Sequence, residues 1–70
     1  MAQATQVRLV NSVAAQFAHL PAREAAAAVA SHVQTFWDPR MRADLLAALD
    51  DPDAGLDPVA LEAARLLPAG

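Results

Sequence analysis

His19, Ser31 and His32 are among the residues whose types suit proton transfer or nucleophilic attack. Ser31 and His32 are adjacent, and on a helix neighbouring side chains point about 100° apart and do not face each other. A hydroxyl nucleophile needs its base within hydrogen-bond reach, so the pair reads as two polar helix residues. The two imidazoles stand thirteen positions apart and the chain has no cysteine. Neither a His pair at i, i+4 nor a thiolate supports a zinc site. Lysine and tyrosine are missing, and Gly55 and Gly70 are the only glycines, so there is no glycine-rich phosphate loop. No catalytic, cofactor-binding or metal-ligating residue is assigned. His19 reads as an exposed residue near a helix C-terminus, where the dipole favours it; His32 carries no special reading.

Unusual side chains gather instead in FWDPRMR, residues 36–42. Asp38 followed by Pro39 is a helix start, because the carboxylate can accept a backbone N–H and proline suits the first helical position. Trp37 then precedes the cap and Arg42 stands one turn inside, the two positions that usually form a hydrophobic staple. Here the expected contact is guanidinium against indole, a cation–π pair worth about 0.5–1 kcal/mol when exposed. Arg40 and Asp44 are spaced i, i+4 in the poorer, Arg-first orientation. Arg40 and Arg42 point about 200° apart at 3.6 residues per turn, so they make no single basic patch. Phe36 continues an apolar stripe and is expected in the core. Two adjacent aromatics at one helix end crowd a small core, so Trp37 is expected to face outward. Trp and Arg are enriched at binding hot spots, which makes Trp37, Arg40 and Arg42 candidate partner contacts. Asn11 joins them: mid-helix Asn competes for backbone hydrogen bonds, so it either faces water or anchors a helix–helix or subunit contact.

Four helices must position these residues. Val7, Val10, Val13, Ala14 and Phe17 recur at steps of three and four, predicting a helix over residues 5–19. Pro21 opens a second over 21–36, with a stripe of Ala22, Ala25, Ala26, Val29, Ala30 and Val33; its alanine-rich first half is expected to pack on the first helix. The third is predicted over 39–49, with Met41, Leu45, Ala48 and Leu49 inward. DDPDAG starts an acidic turn over 50–56. Asp57 caps the fourth, over 58–67, with Val59, Ala63, Leu66 and Leu67 as its stripe and Leu56 and Leu61 at staple spacing. No segment alternates apolar and polar residues as a strand does. The fold class is all-α, a single domain of about four short helices without a sheet.

Composition limits what such a bundle can do alone. Nineteen of the 39 apolar residues are alanine, which favours helix but buries little area. A chain of this length buries only about 60% of its unfolded surface. With no cysteine for disulfides, association is the expected support. The net charge of −3, with five arginines and no lysine, lacks the basic block that nucleic-acid binding needs. No apolar run approaches the ~20 residues of a membrane span. The first ten residues lack the basic and apolar regions of a signal peptide, so a cytoplasmic protein is expected.

The two segments VRLVNSVAAQF (residues 7–17) and VASHVQTFWDPRMRADLL (residues 29–46) together resemble the delta subunit of soluble NAD-dependent formate dehydrogenases. The second matches that family's pattern through Val29, His32, Phe36, Trp37, Pro39, Arg40, Met41 and Arg42, and a Gly-Leu-Asp-Pro segment follows at residues 55–58. The first is looser: Asn11 matches, but Val10, Ser12 and Ala18 stand where Ala, Gln and Phe are common. The resemblance implies a small accessory subunit without a cofactor of its own. Its partner would be a large catalytic subunit holding bis-molybdopterin guanine dinucleotide with molybdenum or tungsten, and iron–sulfur clusters. Further clusters and FMN would carry electrons from formate to NAD. The delta chain would serve assembly, cofactor insertion or stability. The alternative open from the residues alone is a free-standing helical homo-oligomer or adaptor that binds partner helices.

Overall fold

The computed structural model describes residues 5–51 and 53–67 of the chain. Four helices form in the expected order: α1 (Thr5–Gln16), α2 (Ala22–Phe36), α3 (Pro39–Ala48) and α4 (Pro58–Leu66), with no strand among the described residues. The radius of gyration, 10.8 Å, matches the ~11 Å of a packed chain of this length.

Helix starts follow cap chemistry. Asp38 Oδ1 accepts the Met41 amide at 2.9 Å, and Asp57 Oδ2 accepts the Val59 amide at 3.0 Å. Each supplies an acceptor to an N–H that the helix itself leaves unpaired, and Pro39 and Pro58 occupy the positions after them. Pro21 differs from the expectation. It sits just outside α2 with ψ 148° and no side-chain cap, its carbonyl accepting the Ala25 amide at 2.8 Å.

Helix ends are less regular. α1 stops at Gln16 rather than near residue 19, and the chain tightens through i→i−3 bonds from Phe17 to Ala14 and from Ala18 to Ala15. Proline disfavours helical geometry in the residue before it, so Pro21 expels Leu20 and the last turn unwinds ahead of it. At the ends of α2 and α4 the chain turns extended immediately after the last helical residue, at Trp37 (φ −92°, ψ 142°) and Leu67 (φ −74°, ψ 141°). Both residues fold back into the core, while the last helical residues, Phe36 and Leu66, are left outside.

The core is apolar throughout, with no buried polar or charged residue among those described. Seven of its fifteen buried residues are alanine; Leu45, Val7, Val10, Val29 and Val33 are the largest that are fully enclosed. α2 packs on α1 as its alanines suggest, but most extensively against α4, while α1 touches all three other helices. The reason is complementarity of small faces. Ala25 and Ala26 on α2 and Ala60, Ala63 and Ala64 on α4 are all buried, and residues this small let two backbones approach closely. This rotates α4 from its expected stripe: Ala60 and Ala64 point inward, Val59 is half-buried and Leu66 is exposed.

Candidate functional site

The corner between α2 and α3 carries most of the candidate residues. Trp37 and Asp38 are both extended there, and the two helices they join make little contact with each other. Trp37 is 7% exposed and belongs to the core cluster, whereas Phe36 is 73% exposed. The expected roles of the two aromatics are therefore reversed. Phe36 is the last residue of α2 and stays outside the core. α2 spans fifteen residues, about 22 Å at 1.5 Å per residue, and is longer than any helix available to cover it.

Phe36 is not bare of neighbours. Its ring packs on His32, four residues earlier on the same helix face, with centroids 4.8 Å apart and planes tilted by 42°. Such tilted pairs are favoured by the ring quadrupoles, so His32 braces an exposed aromatic. The i, i+4 spacing of the two residues was the sequence signal for this contact.

Arg42 meets Trp37, though not through the indole. Its Nη1 donates to the Trp37 carbonyl oxygen at 2.9 Å in a half-buried setting. Trp37 is extended, so its carbonyl lies outside the α2 ladder and is open to the guanidinium, while the ring has turned inward. Arg40 is exposed, and no hydrogen bond or ion pair engages it among the described residues. Its i, i+4 neighbour Asp44 makes no ion pair with it. The corner thus divides into two parts: Trp37 and Arg42 hold the backbone, and Phe36 and Arg40 face out.

Asn11 lies elsewhere, on α1 against the loop before α4. Its Nδ2 donates to the Gly55 carbonyl at 2.9 Å and its Oδ1 accepts the Asp57 amide at 2.8 Å. Gly55 takes a positive φ of 85°, the left-handed region that costs glycine little. One amide side chain so reads two backbone groups on either side of Leu56 and fixes where α4 begins. Asn11 is a helix–loop anchor within the chain.

Among the described residues, no group of three or more His, Asp or Glu side chains comes together as a metal site. The sequence has no cysteine, the usual ligand of an iron–sulfur cluster. No described helix is long and apolar enough to cross a membrane.

The family model described as NADH-dependant formate dehydrogenase delta subunit FdsD matches residues 6–64. The chain belongs to this family. The match runs from the first turn of α1 into the last turn of α4, so it takes in the Asn11 anchor, the α2–α3 corner and the α2–α4 pairing alike. The delta-subunit family is by its description part of a larger enzyme. No curated protein and no solved structure gave a significant match to the chain.

Proposed function

We propose that this delta-family chain is a non-catalytic accessory subunit of a cytoplasmic NAD-dependent formate dehydrogenase, supporting assembly, cofactor insertion or stability of the large catalytic subunit. The catalytic and electron-carrying groups of that enzyme, a bis-molybdopterin guanine dinucleotide with molybdenum or tungsten, iron–sulfur clusters and FMN, belong in this reading to the partner subunits. The chain docks by the α2–α3 corner. Phe36 and Arg40 touch the partner, Trp37 and Arg42 hold the corner in shape, and Asn11 fixes the α1–α4 frame behind it.

One observation carries this reading: a phenylalanine 73% exposed on a chain with few large core residues, braced by His32 rather than left to collapse inward. Aromatic and arginine side chains supply most of the energy at small interfaces. The experiment is co-purification of the tagged chain with the other enzyme subunits, followed by formate-dependent NAD reduction. Phe36→Ala and Arg40→Ala should each lower the recovered complex several-fold while the isolated variants keep their helicity. Full recovery of both variants would remove the corner from the interface; failure of the wild-type chain to bring down an active enzyme would refute the subunit role.

A further inference from the structure

α2 and α4 build a second face, away from the corner. Between them runs an open groove of about 510 Å³, lined by Ala22, Ala26, Val59 and Leu66, with Arg23 and Glu62 as its charged members. Its apolar side combines small residues with Leu66, which is 56% exposed. The two charges are not equivalent. Glu62 is paired with Arg65 at 3.1 Å. Arg23 is exposed and makes no hydrogen bond or ion pair among the described residues. The groove therefore holds one uncompensated positive charge on a chain whose net charge is −3.

A segment complementary to it sets a large apolar side chain over the alanines and a carboxylate toward Arg23. We infer that the α2–α4 groove receives such a segment, an apolar residue beside an Asp or Glu, from another subunit of the formate dehydrogenase. This rests on the accessory-subunit reading and adds a second point of attachment to it. The mode is an apolar side chain laid into a helix-lined groove, with charge fixing its register. A second copy of this chain is a poorer occupant. Two copies of like net charge, −3 each, repel.

The test is made in the assembled enzyme. The tagged chain, with Leu66 replaced by the photoreactive p-benzoylphenylalanine, is co-expressed with the other subunits, irradiated and purified, and crosslinked peptides are identified by mass spectrometry. The expected product joins position 66 to a peptide of another subunit in which Asp or Glu adjoins an apolar residue. Arg23→Glu should lower the co-purified enzyme about fivefold, the scale of a single well-placed ion pair, and Arg23→Lys should restore most of it. Unchanged helicity of the isolated Arg23→Glu chain separates this effect from misfolding. If the enzyme co-purifies but position 66 crosslinks only to a second copy or to nothing, or if Arg23→Glu is recovered normally, the groove inference falls and the accessory role stands. If no other subunit co-purifies with the wild-type chain, both fall.

Discussion

Phe36 and Trp37 are adjacent in sequence and opposite in environment, and substitution should separate them cleanly. Trp37→Ala removes a buried indole from a core where seven of fifteen residues are alanine, and large-to-small changes of this kind cost about 3–5 kcal/mol. A chain of this length has about 4–10 kcal/mol of stability in all, so the variant should lose a large share of it. Phe36→Ala removes a ring that is mostly in water and should move stability by about 0.5 kcal/mol or less. Urea unfolding followed by circular dichroism at 222 nm reads both, and a destabilised Phe36→Ala would contradict the exposure described. Position in the stripe could not decide between the two aromatics. That required knowing where α2 outruns its neighbours, and whether the chain after it bends back, both of which depend on tertiary packing. The Arg42 contact escaped for the same reason, because a carbonyl became its acceptor only once the indole had turned away.

At the scale of elements, the two Asp-Pro starts and the ends of α2, α3 and α4 were legible to within a residue, and the end of α1 was not. Asp-Pro at residues 38–39 and 57–58 specifies a cap and a first turn through local chemistry alone, and both formed as read. The end of α1 depends on how far back a proline unwinds its neighbours. The partner of α2 depends on which alanine face in the whole chain matches its own. Asn11 was legible as an anomaly, but its two acceptor and donor partners lie 44 and 46 residues away, beyond any spacing rule. These bonds make a prediction about coupling. Asp57 donates its N–H to Asn11 Oδ1 and caps α4 by accepting the Val59 amide at its carboxylate. Asn11→Ala and Asp57→Ala should each cost about 1 kcal/mol, and the double variant should depart from their sum by about 0.5 kcal/mol or more, because both act on one loop. The amide of residue 57 should exchange with deuterium faster in Asn11→Ala. Strict additivity with unchanged exchange would mean that the loop holds its shape without the anchor.

For the molecule as a whole, the decisive property is a core that closes with small residues. Close helix approach at the α2–α4 face gives tight packing, yet each alanine removes little apolar area from water. The surface ion pair between Arg65 and Glu62, both about 60% exposed, adds little to this. Such a bundle folds by a narrow margin and gains the most, in relative terms, from a companion that binds only its native form. Binding at a hundredfold excess over the dissociation constant stabilises a protein by about 2.7 kcal/mol, and for a domain this small each kcal/mol moves the midpoint by about 4–8 °C. The chain within its formate dehydrogenase should therefore melt about 10–20 °C above the isolated chain, read by following a fluorophore placed on this subunit alone. Phe36→Ala should lose much of that rise while the isolated midpoint stays where it was. An isolated chain whose midpoint rises with its own concentration, and does not respond to the enzyme, would instead mark a self-associating bundle, since only self-association makes its stability depend on how much of it is present.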